Sequence, residues 1–241
     1  MIASDQPTIF GDDVTVALSS VQDGNMSFRH DGAHNALENR KVFFRKVGLN
    51  INDATLVQVS FENITDFARY ATLTEAQKAE GMLSSESSII ADALVVTKPG
   101  HAIFLPVGDC TVAVIYDPKH QVLMVSHLGR QSTEIDGGRK SIEYLQREFH
   151  TDPADLKVWL GPAVGKKSYQ LHKLENKGLH EAILEQLHEA GVLETNIEVN
   201  PVDTASSPNY FSHSAFLNGN KAVNGRFAVV AAMREQGEPA S

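Results

Sequence analysis

Cysteine is nearly absent from this sequence, and Cys110 is the single example. One cysteine cannot close an intramolecular disulfide, so a disulfide-stabilised secreted domain is excluded and a reducing compartment is favoured. Clusters of Lys and Arg are also missing, and the formal net charge is -9. Nucleic acids and anionic membrane surfaces are therefore not expected as partners, because both require concentrated positive charge.

Long apolar runs are absent as well. No stretch approaches the roughly 18 apolar residues of a membrane span, and MIASDQPTIFGDDV lacks the basic and apolar regions of a signal peptide. We therefore expect no membrane association and a cytoplasmic location. No repeat or low-complexity linker divides the chain, which predicts a single domain over residues 1–234 and a frayed tail over residues 235–241.

Short apolar segments rich in Val and Ile alternate with amphipathic ones. Strands are predicted for ATLVQVSF, DALVVTK, HAIFLPV, TVAVIYD, QVLMVSH, DLKVWLGPAVG, YFSHSAF and GRFAVVAAMR. Helices are predicted for HNALENRKVFFRKVGLN, which Gly48 ends, and for TEAQKAEG, SIEYLQREFH and LHEAILEQLHEAG. This order favours an α+β fold of layered mixed β-sheets with flanking helices.

The segment LPVGDCTVAVIYDPKHQVLMVSHLGR, residues 105–130, predicts a β-hairpin. Asp117 to His120 have the sequence of a type I turn, with proline at the second position. Counting outward from this turn places Cys110 and His127 nearly opposite each other at the two open ends. The spacing is therefore compatible with contact between a thiol and an imidazole.

A thiol beside an imidazole has three interpretations. The pair can be inert packing, as many free cysteines are, a metal site, or a nucleophile with its base. Asp109 adds a carboxylate that would orient the imidazole or bind a substrate amine, which makes it a third candidate catalytic residue. The residues alone leave these alternatives open.

This region resembles the central block of the YfiH-like laccase-domain family, also known as multicopper polyphenol oxidoreductases. DALVVTK is similar to the family's DA-x-V-T motif, GDC to A-D-C, and HLGRQS to H-A-G-W-R-G. Similar segments elsewhere are LENRKVFFRKVGL, VQVSFENI, WLGPAVGKKSYQL and YFSHSAFLNGNKAVNGRFAVVAAMR. The resemblance covers nearly the whole chain in collinear order and implies the family's α+β fold.

The resemblance implies action on purine nucleosides, by phosphorolysis or deamination, with the nucleoside and phosphate as small-molecule partners. It also implies a zinc-type site rather than a copper one. Two family metal ligands correspond to Cys110 and His127, but the third position, a histidine in the family, is Ser60. A serine hydroxyl is a poor zinc ligand, so zinc binding is weakened unless His101 or His213 replaces it.

The resemblance also implies that arginines bind a phosphate or a carboxylate of the substrate. The family's arginine pair near the closing strand is replaced by Ser214 and Ala215. Arg40, Arg130 and Arg226 remain as candidate substrate contacts, because guanidinium groups bind such anions bidentately.

Two further functions stay open from the sequence. Loss of a family ligand and of the arginines is also expected of a non-catalytic protein that binds a nucleoside-like ligand or a partner. In a metal-free Cys–His amidase or hydrolase, Cys110 would be the nucleophile and His127 its base, with backbone N–H groups near Gly108 as an oxyanion hole. The purine nucleoside enzyme is the first of these hypotheses.

Overall fold

The computed structural model of the protein describes residues 1–60, 69–85 and 87–235. The β-strands formed by these residues are β1 (Val14–Leu18), β2 (Ala54–Leu56), β3 (Tyr70–Thr72), β4 (Ala93–Val96), β5 (Ala102–Val107), β6 (Thr111–Asp117), β7 (Val122–Leu128), β8 (Lys157–Leu160), β9 (Ile197–Val199) and β10 (Phe227–Met233). The α-helices are α1 (Ala36–Val47), α2 (Arg130–Thr133), α3 (Gly137–Phe149), α4 (Leu179–Glu189) and α5 (His213–Leu217). Within these ranges, no helix combines the length and apolar character needed to cross a membrane.

The strands form two mixed sheets. The first has the order β1-β10-β5-β2, in which β2 runs parallel to β5 and the other pairs are antiparallel. The second has the order β3-β4-β7-β6-β8-β9, antiparallel in the centre and parallel at the two edge pairs. The prediction of an α+β fold with layered mixed sheets is confirmed.

Three apolar clusters show how the layers stack. Residues such as Leu105 and Val125 pack in the space between the two sheets. Phe43 and Phe44 of α1 cover the outer face of the first sheet, and α3 and α4 cover the outer face of the second. The central strands are thus buried on both faces, which explains why their sequences are continuous apolar runs.

The predicted hairpin is the antiparallel pair of β6 and β7, with Val112 opposite His127. Side chains alternate between the two faces of a strand, so Cys110 continues the series of Val112 and Val114 that faces the first sheet. His127 continues the corresponding series of Val125 on β7. The register therefore brings both side chains to one end of the layer between the sheets.

The turn of the hairpin is closed by the buried carboxylate of Asp117. One oxygen accepts hydrogen bonds from the backbone N–H groups of Lys119 at 2.9 Å and His120 at 3.0 Å. The other oxygen accepts from Thr151 Oγ1 at 2.6 Å and lies 2.8 Å from His120 Nδ1. Burial alone would raise the pKa of Asp117, but the hydrogen bonds from Thr151 and His120 outweigh it and lower the pKa.

Arg40 joins α1 to two loops beneath the first sheet. Its side chain is buried, and its Nε donates to the Met26 carbonyl at 2.8 Å. Its Nη1 donates to the carbonyl oxygens of residues 81 and 82, each at 2.9 Å. The guanidinium carbon lies 4.3 Å from the ring centre of Phe28 and 5.0 Å from that of Phe104. These contacts make Arg40 part of the core.

The strand predicted for YFSHSAF is wrong, because residues 213–217 form the short helix α5. Ser212 accepts a hydrogen bond from the Ala215 N–H at 3.1 Å and caps this helix, a role for which serine is well suited. The strand predicted for ATLVQVSF is confirmed only over Ala54–Leu56, and its last residue lies outside the described part of the chain. Of the predicted tail, residues 236–241 also lie outside it.

Replacing Asp117 by Asn should lower the free energy of unfolding by about 1–3 kcal/mol at pH 7, because a buried charged acceptor of hydrogen bonds is lost. Folding lowers the pKa of Asp117. The contribution of its carboxylate to the free energy of unfolding is therefore complete above the unfolded-state pKa of about 3.9, and it is lost as the pH falls through the folded-state pKa. Urea unfolding at several pH values tests this. Asp155→Asn, at an exposed side chain, is the matched control. A destabilisation that does not decrease as the pH falls below about 4 would contradict the account.

Replacing Arg40 by Met should lower the free energy of unfolding by about 3 kcal/mol or more, because buried carbonyl oxygens lose their donors. Arg45→Met, on an exposed part of the same helix, is the control and should change it by less than about 0.5 kcal/mol. Denaturant unfolding measures both. Normal stability of Arg40→Met together with weakened phosphate binding would instead support the predicted substrate contact.

Candidate functional site

A cavity of about 610 Å³ opens at the free ends of the β6–β7 hairpin. Its volume lies in the range of small-molecule sites. Cys110 belongs to its lining. The basic side chains of the lining are four arginines and three histidines: Arg29, Arg40, Arg130, Arg226, His30, His127 and His213. Among the lining residues that the structure describes, none is Asp or Glu.

Cys110 and His127 approach the same glycine. A Cβ atom at Gly129 would lie 2.6 Å from Cys110 Sγ and 3.4 Å from His127 Cε1, so a side chain there would collide with the thiol. Gly129 therefore makes room for both groups at the end of β7. The structure brings the two side chains together, as the hairpin spacing predicts.

Neither member of this pair is charged near neutral pH. Burial, with the nearby charge of Asp109, raises the pKa of the Cys110 thiol to about 12. Burial lowers the pKa of His127 to about 4. The thiolate is the nucleophilic form of cysteine, so this environment disfavours an activated Cys–His pair.

Asp109 lies beside Cys110 but is not part of the described cavity lining. Its Oδ1 accepts a hydrogen bond from Thr204 Oγ1 at 2.8 Å, and its Oδ2 accepts from the Ser214 N–H at 2.6 Å. Both oxygens thus hold neighbouring chain segments in place, and the backbone adopts a left-handed φ of 77°. These contacts give Asp109 a positioning role, and its catalytic role stays a prediction.

Arg226 and Arg130 differ in how firmly the protein holds them. Arg226 donates through Nη1 to Asn224 Oδ1 at 2.9 Å, and its side chain passes so close to Gly108 that a Cβ there would lie 3.1 Å from Arg226 Cδ. Arg130, the first residue of α2, is half-exposed and 4.0 Å from Glu134. Arg226 is thus a preoriented donor, and Arg130 is an adaptable one.

Arg29 and His30 are cavity residues that the sequence did not suggest. They belong to a loop between β1 and α1. Asn25 Oδ1 in the same loop accepts a hydrogen bond from the backbone N–H of Arg226 at 2.8 Å. This contact joins residues 201 positions apart, and no local motif predicts it. His213, a candidate replacement ligand, reaches the same cavity from α5.

The described side chains do not fit a metal site with three protein ligands. Ser60 is not part of the described lining of the cavity. His101 lines a different cavity and is paired with Thr55 Oγ1 at 2.7 Å. Within the described ranges, no group of three His, Cys, Asp or Glu side chains is placed to hold a metal ion. Cys110 and His127 supply two donors, one fewer than a catalytic zinc site normally uses.

Solved structures share this architecture. YfiH from Bacillus licheniformis, a hypothetical protein, superposes with a TM-score of 0.80 at 19% identity, covering 92% of this chain and 93% of the other. YlmD from Geobacillus stearothermophilus gives a TM-score of 0.81 at 18% identity, covering 95% and 94%. At these identities the likeness establishes the fold.

Two curated relatives are called purine nucleoside phosphorylases. One, from Bacteroides thetaiotaomicron, is 22% identical over 149 residues, which cover 54% of this chain and 55% of the relative. The other, from Clostridium acetobutylicum, is 23% identical over 116 residues, covering 46% and 48%. The match thus spans about half the length of each relative. Residues 14–177 match the model of the multi-copper polyphenol oxidoreductase laccase family, and this chain belongs to that family.

Proposed function

We propose that the cavity binds a purine nucleoside and inorganic phosphate, and that the chain cleaves the nucleoside by phosphorolysis. The observation that carries this proposal is the convergence of Arg29, Arg130 and Arg226 on a cavity whose described lining holds no carboxylate. The buried Arg40, whose Nε and Nη1 donate to backbone carbonyls, adds its charge to the same lining. The protein as a whole has a net charge of -9, so this concentration of positive charge is local. Guanidinium groups match the geometry of phosphate oxygens.

Family membership and the names of the two relatives support a purine nucleoside as the other substrate. Phe28 offers an aromatic surface in the lining, and its ring lies 4.3 Å from the Arg40 guanidinium carbon. A purine base would stack on such a surface. Deamination, the other reaction that the resemblance implies, requires no anion, and the arginines therefore favour phosphorolysis.

In phosphorolysis, a phosphate oxygen forms a bond to C1′ of the ribose while the bond between C1′ and N9 of the purine breaks. The electron pair of the broken bond leaves with the purine, which takes up a proton, and the products are the free base and ribose 1-phosphate. Arg130 and Arg226 would hold the phosphate beside C1′, so that the reaction gains from proximity and orientation. They would also balance the phosphate charge in a partly desolvated site.

Of the two other hypotheses, the hydrolase fits less well. The neutral Cys110 thiol and neutral His127 imidazole disfavour a metal-free Cys–His hydrolase. A non-catalytic nucleoside-binding protein would keep the same cavity. Turnover therefore separates the two remaining hypotheses.

The full-length protein should release free base from inosine, guanosine or adenosine only when phosphate is present. In Arg130→Met, the KM for phosphate should rise about tenfold, since a charged hydrogen bond contributes on the order of 1.5–3 kcal/mol. The KM for the nucleoside should change by less than about twofold, because the substitution removes a contact to phosphate and leaves the nucleoside site intact. Measuring base release by chromatography at varied phosphate and varied nucleoside concentrations gives the two KM values.

Arg45→Met is the matched control, because Arg45 is exposed and lies outside the cavity. It should leave both KM values unchanged. Base release that is independent of phosphate would contradict phosphorolysis and indicate hydrolysis. Nucleoside binding without any base release would contradict catalysis and support the non-catalytic alternative.

The two-donor set at Cys110 and His127 predicts weak zinc binding. After dialysis, zinc should be well below one ion per chain, and Cys110→Ala should contain the same small amount. Elemental analysis of the wild type and the variant measures this. One zinc ion per wild-type chain that disappears in Cys110→Ala would show that a third ligand completes the site.

A further inference from the structure

His213 has one ring nitrogen held by the protein. Its Nδ1 lies 3.1 Å from Oδ1 of Asn224, and His213 belongs to the cavity lining. The same oxygen accepts a hydrogen bond from Nη1 of Arg226 at 2.9 Å. Asn224 thus bridges His213 and Arg226, two residues of the cavity lining.

This bridge determines where the proton of His213 lies. A guanidinium group can only donate, so the Asn224 atom that faces Arg226 must be the amide oxygen. That oxygen can only accept, so Nδ1 of His213 must carry a hydrogen. In the neutral ring the other nitrogen, Nε2, therefore has a free lone pair.

The segments that carry His213 and Asn224 are each held by a carboxylate. The N–H of Ser214, the next residue, donates to Asp109 Oδ2 at 2.6 Å, and Asp109 precedes Cys110 in the chain. The N–H of Asn224 donates to Asp31 Oδ2 at 2.9 Å, which fixes the residue that orients the ring. His213 is therefore placed relative to Cys110 by short contacts and not by loop packing alone.

The chemistry of the lining indicates what such a nitrogen would contact. Arginine side chains donate hydrogen bonds but cannot accept them, and the described lining has no carboxylate. A sugar hydroxyl that donates a hydrogen bond therefore needs a neutral acceptor in this cavity. Nε2 of His213 has no hydrogen-bond partner among the described residues, so it is available as such an acceptor, with its orientation set by Asn224.

We propose that Nε2 of His213 accepts a hydrogen bond from a ribose hydroxyl of the bound nucleoside, with Asn224 fixing the tautomer. The assignment of the ligand rests on the proposed function. His213 thus selects ribosides over deoxyribosides, and Asn224, Arg226 and Asp109 are positioning residues for this contact.

The tautomer can be tested without any ligand. Long-range proton–nitrogen correlation spectra of the 15N-labelled full-length protein distinguish protonated from unprotonated ring nitrogens, and His213→Gln assigns the signals. With the ring in its neutral form, we expect hydrogen on Nδ1 and none on Nε2 in the wild type. Asn224→Ala should reduce this preference, because the acceptor for Nδ1–H is removed. A wild-type ring protonated on Nε2 would overturn the inference.

A matched pair of substitutions tests the contact with the sugar. His213→Asn places an amide near the position of Nδ1 and removes the group at Nε2, whereas His213→Gln places an amide near Nε2. His213→Asn should raise the KM for inosine about tenfold, the size expected for one lost hydrogen bond, and His213→Gln should raise it less. The KM for phosphate should be unchanged in both variants.

Deoxynucleosides complete the test. The comparison uses 2′-deoxyinosine and 3′-deoxyinosine. For the wild type, the one that lacks the hydroxyl bound by His213 should have a KM about tenfold above that of inosine. In His213→Asn this difference should vanish, because the partner of the missing hydroxyl is already gone. A difference that persists in His213→Asn overturns the inference. Absence of nucleoside turnover in the wild type contradicts the proposed function, while the tautomer measurement still decides the state of the ring.

Discussion

The register between β6 and β7 is the constraint on which the cavity depends. Side chains alternate between the faces of a strand, so a slip of one residue between β6 and β7 would place Cys110 and His127 on opposite faces of the sheet. The register is held at the turn by Asp117, whose carboxylate closes the loop, and along the strands by pairing with β4 and β8 on either side. With both faces buried, any slip would also expose or misplace apolar side chains of two separate cores.

The sequence predicted the parts of the site that depend on local spacing. The hairpin, the Cys110–His127 pair and the helix ending at Gly48 follow from short-range rules about turns and alternation. The segment YFSHSAF, residues 210–216, is predicted as a strand, but the Ser212 cap starts a helical turn over residues 213–217. A side-chain cap of this kind decides between two conformations that the apolar pattern alone does not separate.

The parts that the sequence did not predict depend on contacts between distant segments. Arg29 and His30 reach the cavity because Asn25 is bound to the N–H of Arg226, and Arg40 is occupied by carbonyl groups from separate loops. The contacts of the Asp109 carboxylate with Thr204 Oγ1 and the backbone N–H of Ser214 are likewise contacts between distant segments. Side-chain type alone does not distinguish a substrate contact from an internal one.

The positive charge of the cavity is the property that connects the structure to its proposed chemistry. A cleft with one sign of charge concentrates oppositely charged ligands, and partial exclusion of water strengthens their binding. Calorimetric titration of the full-length protein with inorganic phosphate tests this most directly. The account predicts one site per chain whose affinity falls in Arg130→Met and with rising salt concentration. No binding of phosphate, or binding that Arg130→Met and Arg226→Met leave unchanged, would contradict it.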